Sequence, residues 1–509
     1  MGRRWLCILV VVGAAACSSE PGVRSGEANT LVSVPFLTLP PVTTDGAAPT
    51  TDVSPVPTTA EPIQFPTVPG LVPTADGAGD LLFPALGNPG LDVQHYDLAV
   101  RYEPATDQLS GSVGIDLVLT EDRSEITLDS TDPLVSEVAI DGVPVQFLND
   151  SPELRIELAQ PMAAGSTLRI EVVYALDPRP SNSPVGLPNG WFNTPGGSYV
   201  LNEPDGARAW FPCNDHPSDK ATYTFTIDVP QGLTGVANGQ LVDQRTEGDR
   251  DIWVWQQDDP MTTYLILLLT GDYELISGEG PGGVPLLDAV LRDDVAVMQP
   301  YIDLTPEMMV FFEGVFGPYP LDGYGLAFSD SFGGLAMETQ GRSLYSREDF
   351  ADGSLGYQQQ AFLSHELVHQ YYGNAVSPGR WQDIWLNESF ATYGEWMWME
   401  HAGFGALDDV AQQVLEQRPP GSTGLPGVEQ MFSFNTYSGG AIVLHALRLT
   451  MGDDPFFEMM RRWAIDAFGT SRTTDEFIAF AEGFHGASLT EFFDEWLFAV
   501  QPPGRFPGQ

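Results

Sequence analysis

The sequence predicts a multidomain α+β protein, with an N-terminal antiparallel β domain followed by a mainly helical domain. The chain has 509 residues, which is too long for one ordinary hydrophobic core. From residue 91 to residue 277, apolar and polar residues alternate in short runs that Gly, Pro and Asp separate. After about residue 295, apolar residues recur every three or four positions, as on one face of a helix.

The N-terminal residues have the features of an export signal. Arg3 and Arg4 precede an apolar run of about ten residues, and small residues lead up to Cys17. A run this short does not span a bilayer permanently, so residues 1–16 are predicted to be a signal peptide. Small residues before a cysteine resemble the lipobox of bacterial lipoproteins. This resemblance implies a lipid anchor on Cys17 and a location on the outer face of the cell membrane, with plain secretion as the alternative.

Residues 17–85 are predicted to form a disordered stalk. This stretch is rich in Pro and Thr, and it contains no Lys or Arg after Arg24. Such a composition buries too little apolar surface to offset the entropy of ordering. If Cys7 leaves with the signal and Cys17 carries lipid, only Cys213 remains, and no intramolecular disulfide is expected.

The acidic charge balance argues against nucleic acids and anionic membrane surfaces as partners. The chain carries 69 Asp and Glu against 22 Lys and Arg, a formal net charge of −47. Nucleic acids and anionic membrane surfaces both require basic patches on the protein. We therefore expect no nucleic-acid partner.

The elements of the two domains follow from the two periodicities. The strand-like runs are residues 95–104, 111–120, 125–130, 135–147, 168–176, 221–230, 252–257 and 263–276. The helix-like segments are residues 300–317, 357–373, 387–403, 439–452 and 489–500. We predict a β domain over residues 86–280 and a helical domain over residues 281–509.

The segment "SHELVHQYYGN" carries the clearest chemical signal. His365 and His369 are four residues apart, so on a helix they project from one face and can share a metal ion. Glu366 would then stand beside the water that a catalytic Zn²⁺ activates. A catalytic zinc needs a third protein ligand, and Glu388 in "WLNESFATY" follows His369 on the next predicted helix.

This spacing, together with the frame "HQYYGNAVSP…WLNESFATY", resembles the gluzincin peptidases of the M1 aminopeptidase family. The resemblance covers the chain from about Leu91 onward and implies a short form of that family. It implies a β saddle domain followed by a thermolysin-like catalytic domain. The implied cofactor is one Zn²⁺ per chain on His365, His369 and Glu388, with Glu366 as the general base.

Three further motifs extend the resemblance. "GGLAMETQ" is similar to the family motif whose glutamate holds the substrate's α-amine, a role that falls on Glu338. Leu335 and Thr339 stand where that motif has Gly and Asn. "NEPDGARAWFPCNDHPSDKATYTF" implies a second amine contact at Glu203. "TYSGGAIVLHALR" implies that Tyr437 stabilises the oxyanion, although Gly439 replaces the usual Lys.

The predicted function is removal of N-terminal amino acids from peptides with a free N-terminus. An endopeptidase on the same scaffold, or a zinc-stabilised surface-binding protein without turnover, are the alternatives. Asp383 is interpreted either as a carboxylate that orients a ligand histidine or as a helix cap. The other histidines are interpreted as structural, and the stripe Trp396, Trp398 and Phe404 as core.

Overall fold

The computed structural model describes residues 77–331 and 333–509. The predicted signal peptide, and the predicted stalk as far as residue 76, lie outside the described residues. Within the described ranges, no helix is long and apolar enough to cross a membrane.

The first part of the described chain is built from strands in three sheets. The strands are β1 Leu91–Glu103, β2 Gln108–Leu119, β3 Arg123–Asp129, β4 Leu134–Ile140, β5 Val143–Pro144, β6 Phe147–Asp150, β7 Glu153–Met162, β8 Thr167–Leu176, β9 Pro180–Asn182, β10 Pro188–Thr194, β11 Gly197–Leu201, β12 Ala221–Pro230, β13 Thr234–Ala237, β14 Gln240–Glu247, β15 Arg250–Met261 and β16 Leu268–Gly271. The largest sheet has eight strands in the order β14-β15-β12-β1-β2-β8-β4-β5. The other two have the orders β13-β16-β11-β10-β9 and β3-β7-β6.

The eight-stranded sheet is antiparallel except at its centre. The alternating sequence of β12 produces a strict alternation of buried and half-buried side chains, because successive side chains point to opposite faces. β1 and β12 pair in parallel, from His95 opposite Thr222 to Arg101 opposite Asp228. A parallel pair needs a long crossover, and this one contains β2 to β11, including the whole of the β3-β7-β6 sheet. The antiparallel β domain is confirmed, apart from this one pair.

The second part of the chain combines a small sheet with helices. Its elements are β17 Tyr273–Glu279, β18 Pro285–Leu291, α1 Val295–Phe316, β19 Leu326–Ser329, β20 Ala336–Met337, β21 Ser343–Ser346, α2 Tyr357–His369, β22 Val376–Pro378, α3 Trp385–His401, α4 Leu407–Gln417, α5 Ser438–Met451, α6 Asp453–Asp466, β23 Thr470–Arg472, α7 Thr474–His485 and α8 Thr490–Phe493. The sheet has the order β17-β18-β19-β21-β20, and β22 pairs with β23. The five predicted helices correspond to α1, α2, α3, α5 and α8.

Two details of the second part differ from the sequence prediction. β17 falls within the predicted β domain, but it pairs with β18 and so belongs to the sheet of the helical domain. The helices α4, α6 and α7 were not predicted. For α7 a signal was present, since Thr473 and Glu476 form a reciprocal capping box at its start.

Residues 77–85, which were predicted to belong to the stalk, are packed against the rest of the protein. The Asp80 carboxylate is fully buried and accepts hydrogen bonds from the backbone N–H groups of Leu82 (2.7 Å), Phe83 (3.0 Å) and Trp381 (2.8 Å). Its second oxygen lies 3.3 Å from Nε2 of His216. The predicted stalk boundary at residue 85 is therefore too late, because Asp80 is bonded to both domains.

The two hydrophobic cores meet at Trp381. This side chain lies in the loop between α2 and α3, yet it is completely buried in the core of the β domain. Its ring packs edge-on against Tyr264 at 5.1 Å and against Phe83 at 6.3 Å. The loop that joins α2 to α3 is therefore held by the β domain.

We predict that Asp80→Ala lowers the free energy of unfolding by about 3 kcal/mol, because it leaves buried donors on both domains without an acceptor. Urea unfolding of the purified chain measures this change. Leu81→Ala is the matched control, since the Leu81 side chain is exposed and its removal should change stability little. Equal stability of the two variants would show that this segment does not clamp the domains.

Candidate metal centre and active site

The site is built on two helices that approach each other closely. His365 and His369 lie one turn apart on α2, and Glu388 lies in the first turn of α3. Gly394 of α3 faces Val368 of α2, and a Cβ atom at position 394 would lie only 2.5 Å from Cγ2 of Val368. The absence of a side chain at position 394 therefore allows α3 to bring Glu388 up to the histidine pair.

The three predicted metal ligands converge. Nε2 of His365 and Nε2 of His369 each lie 3.3 Å from Oε2 of Glu388. Their donor atoms all lie within 4.8 Å of one another, and the three side chains are largely buried. Two imidazole nitrogens and one carboxylate oxygen around a shared point are a donor set that suits a tetrahedral Zn²⁺.

The other ring nitrogen of each histidine has an acceptor nearby, which turns Nε2 toward the shared point. Nδ1 of His369 donates to the carbonyl oxygen of Tyr372 at 3.2 Å. Nδ1 of His365 lies 3.4 Å from Oε2 of Glu395. A proton held at Nδ1 leaves the Nε2 lone pair free for a metal ion.

Gly373 is required beside this pair. Its φ is +131°, and a Cβ atom there would lie 3.1 Å from Nδ1 of His369. A side chain at this position would therefore disturb the ligand histidine.

The charges of the cluster are arranged to hold a cation. Burial by itself would raise the pKa of Glu388, but His369 and then His365 outweigh it and lower that pKa to about 2. The carboxylate is thus ionised under all ordinary conditions. The donor set and its ionisation fit zinc.

The general-base candidate is buried beside the donors. Glu366 follows His365 on α2, and its Oε2 atom has no hydrogen-bond partner within the described residues. Burial raises the pKa of Glu366 to about 8, and the two histidines oppose this increase. A buried carboxylate with a free oxygen can accept a proton from a bound molecule.

Tyr437 lines the same cavity and lies directly before α5. Its ring is roughly parallel to that of His365, with 5.9 Å between the ring centroids. Burial, followed by the negative charge of Glu388, raises the pKa of Tyr437 well above its usual range. The phenol therefore keeps its proton and can act as a hydrogen-bond donor.

The position of Tyr437 is tied to the metal-ligand helix. Ser389, next to Glu388, donates from Oγ to the carbonyl oxygen of Thr436 at 2.6 Å. A Cβ atom on Gly440 would lie 1.7 Å from the same Oγ, so only glycine fits there. Sequence reasoning missed Ser389, whose adjacency to Glu388 was the available signal.

The two predicted amine contacts reach the same cavity from different domains. Glu338 follows β20, and its backbone oxygen accepts hydrogen bonds from Asn374 Nδ2 (2.6 Å) and Gln370 Nε2 (3.2 Å). Glu203 follows β11 of the β domain. Both glutamates line the cavity, and each has a buried Oε1 atom without a partner among the described residues.

The three residues that differ from the family motifs are Leu335, Thr339 and Gly439, and the structure shows the surroundings of each. The Thr339 hydroxyl donates to the carbonyl oxygen of Arg342, so it is used within the turn. Leu335 is half-buried and lines the cavity. At Gly439, a Cβ atom would lie 3.1 Å from Asn435 Oδ1 and 3.3 Å from Arg418 Nε. The Arg418 guanidinium therefore lies next to this backbone position.

Of the two interpretations of Asp383, the structure excludes the one in which it orients a ligand histidine and leaves a contact at a helix N-terminus, that of α7. Asp383 does not contact a ligand histidine, because its carboxylate pairs with Arg380 and accepts from the backbone N–H (3.1 Å) and hydroxyl (2.7 Å) of Thr474 at the start of α7. The carboxylate beside a ligand histidine is Glu395 instead. It lies seven residues after Glu388, two turns along the same face of α3, so helical periodicity could have found it.

The residues interpreted as core or as structural can be compared with their positions in the structure. Trp398 is buried in the core and donates from its indole to Gln360, as expected for a core residue. Trp396 also lines the cavity, so its interpretation as core alone was incomplete. The structure places none of the histidines interpreted as structural in a donor cluster of the described residues; they are His95, His216, His401, His445 and His485.

Comparisons with known proteins identify the class to which this fold and site belong. Residues 92–265 match the peptidase M1 N-terminal domain, and residues 301–496 match the peptidase family M1 domain. A solved M1 zinc metallopeptidase from Deinococcus radiodurans is 31% identical, with a TM-score of 0.75 over 85% of this chain and 99% of that one. The fold is that of a two-domain M1 peptidase. This chain belongs to peptidase family M1.

More distant relatives agree with this assignment. Probable aminopeptidase 2 of Sulfurisphaera tokodaii is 27% identical over 75% of this chain and 51% of its own length. Endoplasmic reticulum aminopeptidase 1 of Rattus norvegicus is 27% identical over 71% of this chain and 43% of its own length. The chain thus spans about half the length of the curated relatives it matches.

We predict one zinc ion per chain, held by His365, His369 and Glu388. His369→Ala should reduce the zinc content of the purified protein well below one per chain, because it removes one of three donors. Glu366→Gln is the control, since it leaves all three donors in place and should retain zinc. Full zinc content in His369→Ala, measured by elemental analysis, would show that the ligand assignment is wrong.

Proposed function

We propose that this protein is a zinc-dependent aminopeptidase that removes single residues from the N-terminus of peptides. The observation that carries the proposal is the pair of free carboxylate oxygens on Glu338 and Glu203 in the cavity of the metal donors. Buried carboxylates without partners are costly unless a cation satisfies them. The α-ammonium group of a peptide is a cation of suitable size.

The site residues supply the groups that hydrolysis of a peptide bond requires. Zinc, when bound by His365, His369 and Glu388, supplies a Lewis acid that polarises the scissile carbonyl and lowers the pKa of water. Glu366 accepts the proton of the attacking water at its free Oε2 atom and delivers it to the leaving amine. The Tyr437 hydroxyl donates to the carbonyl oxygen as negative charge develops there, a contact worth on the order of 3 kcal/mol.

Anchoring of the amine explains why cleavage would occur at the chain end. An α-ammonium bound between Glu338 and Glu203 places the first peptide bond beside the donors. An internal segment of a peptide has no such cation, so it would leave both carboxylates buried and unpaired. The requirement for an α-ammonium group distinguishes the proposed aminopeptidase from an endopeptidase on the same scaffold.

The solved relatives support a substrate of this kind. The D. radiodurans M1 zinc metallopeptidase was solved as a variant with a Tyr-Ser-Ala substrate. A two-domain M1 zinc metallopeptidase variant was solved with L-arginine. A short peptide and a free amino acid both carry the α-amine for which Glu338 and Glu203 are placed.

We predict that Glu338→Ala lowers kcat/KM on peptides with a free N-terminus by about 10–100-fold, because a charge-assisted hydrogen bond contributes about 1.5–3 kcal/mol. KM should rise, and kcat should fall if the amine aligns the scissile bond. Hydrolysis of N-acetylated peptides, already slow, should change far less. Fluorogenic aminoacyl and acetyl-aminoacyl substrates provide this comparison.

Glu348→Ala is a suitable control, since Glu348 carries the same charge in the same domain and does not line the cavity. If Glu338→Ala lowered activity equally on free and acetylated peptides, the aminopeptidase assignment would be wrong. A zinc hydrolase of another specificity would remain compatible with that result.

We also propose that the protein is exported and held on the outer face of a bacterial cell membrane by lipid on Cys17. The support is in the sequence: Arg3 and Arg4, the short apolar run, and the small residues before Cys17. The Pro/Thr-rich segment that follows would hold the two domains away from the lipid surface.

We predict that Cys17→Ser moves the protein from the detergent phase to the aqueous phase, or leaves the precursor uncut, because no thiol is available for lipid. Detergent-phase partitioning and the mass of the mature N-terminus measure both outcomes. Cys7→Ser should have no effect on either, since residue 7 lies within the predicted signal. Unchanged partitioning of Cys17→Ser together with an unchanged mature N-terminus would exclude the lipid anchor.

A further inference from the structure

The cavity has two distinguishable ends along α2. Glu338 lies at the C-terminal end, where its backbone oxygen is held by Gln370 and Asn374. Glu395 lies beside His365, one turn toward the N-terminus. Phe362 lies seven residues before His369, and at 1.5 Å per residue this separation is about 10 Å along the helix axis. The metal donors therefore stand between the amine contacts and a separate region of the cavity.

This second region has aromatic walls. Tyr357 and Phe362, from the first half of α2, and Trp396, from the second half of α3, all line the cavity. By their positions on the two helices they lie on the side of His365 and Glu395. The rings are held from behind: Phe404 packs edge-on against Tyr357 at 5.6 Å, and Tyr393 against Trp396 at 6.2 Å. Phe362 and Trp396 are each only 4% exposed, so the walls are fixed before a ligand binds. We call the region bounded by Tyr357, Phe362, Trp396 and Glu395 the leaving-side pocket.

The charge of this pocket is negative. Glu395 contributes a carboxylate whose side chain is 7% exposed, and His365 is its one ion-pair partner in the part of the chain that the structure describes. Five glutamates line the cavity as a whole, and no Lys or Arg does. An aromatic wall beside a carboxylate is an environment that favours an organic cation, because the ring face and the carboxylate both attract it. An acidic side chain would meet only like charge.

We propose that the leaving-side pocket binds the side chain of the second residue of the peptide, and that it favours arginine or lysine over glutamate or aspartate. This rests on the proposed aminopeptidase function, which places the first residue at Glu338 and the scissile bond at the metal donors. An extended peptide advances about 3.3 Å per residue, so the second residue lies on the far side of the donors from Glu338. Trp396 and Tyr357 are then specificity-determining residues.

The test compares two series of tripeptides on the zinc-loaded wild-type enzyme: Ala-X-Ala and X-Ala-Ala, with X as Arg, Lys, Ala or Glu. In the first series, kcat/KM should be about tenfold higher for Arg than for Ala, and about tenfold lower for Glu than for Ala. A charge preference confined to X-Ala-Ala would assign the pocket to the first residue and overturn the inference. Equal rates throughout Ala-X-Ala would also overturn it.

Variants show whether the pocket causes the preference. Trp396→Leu and Tyr357→Leu should each lower kcat/KM for Ala-Arg-Ala more than for Ala-Ala-Ala, so that most of the advantage of the arginine peptide is lost. Trp396 is buried, so its replacement can disturb folding. Tyr357 is only half-buried, so Tyr357→Leu keeps the test valid if Trp396→Leu does not fold. Phe492→Leu, a half-buried aromatic position on α8, is the matched control and should keep the wild-type preference. Retention of the preference in both pocket variants would contradict the inference.

Failure of this inference differs from failure of the proposed function. If no tripeptide with a free N-terminus is hydrolysed, or if acetylated tripeptides are hydrolysed equally well, the aminopeptidase proposal itself is wrong. If free tripeptides are hydrolysed without regard to X in the second position, only the pocket assignment is wrong.

Discussion

The close approach of α2 and α3 is the constraint on which the rest of the site depends. The histidine pair lies on α2, and the third donor lies on α3. Gly394 and Val368 touch at the point where the helices meet, and any side chain at position 394 would separate them. A shift of even 1 Å there would move Glu388 away from both Nε2 atoms, because a helix moves as a rigid unit. The same helix carries Ser389, Glu395 and Trp396, so the shift would reach Tyr437, His365 and the leaving-side pocket together.

The second constraint is electrostatic. Five glutamates line one buried cavity, and the two histidines are the only lining residues there that can carry positive charge. Burial raises the pKa values of both Glu203 and Glu338. The charge of Glu338 adds to the increase at Glu203, whereas His369 opposes the increase at Glu338. Such a cavity is unfavourable without added positive charge. A divalent ion at the donors and, in the proposed function, an ammonium group at Glu338 would supply that charge.

The β domain shapes the site although it contributes only one side chain to the cavity. It holds the loop between α2 and α3 through Trp381 and Tyr264, and Tyr264 accepts a hydrogen bond from Asn387, the neighbour of Glu388. Lys220 of the β domain donates to the carbonyl oxygen of Asn374, whose side chain holds Glu338. The two domains are therefore joined at the residues that position the metal ligand and the amine contact.

Local chemistry in the sequence predicted the order of the domains and the helix that carries His365 and His369. The spacing of His365 and His369 follows from helical periodicity, and motif resemblance supplied Glu203, Glu338 and Tyr437. Helical periodicity places Glu395 on the same face of α3 as Glu388, but only the tertiary structure showed that Glu395 lies beside His365. It also showed that Asp383 pairs with Arg380 and Thr474 instead. It also decided that Asp80 belongs to the packed protein and that Trp396 lines the cavity. The physical reason is common to these cases: burial and pairing are set by residues distant in sequence, such as Trp381 for Asp80 and His365 for Glu395. Periodicity along one segment predicts which residues share a face, but it does not identify what packs against that face.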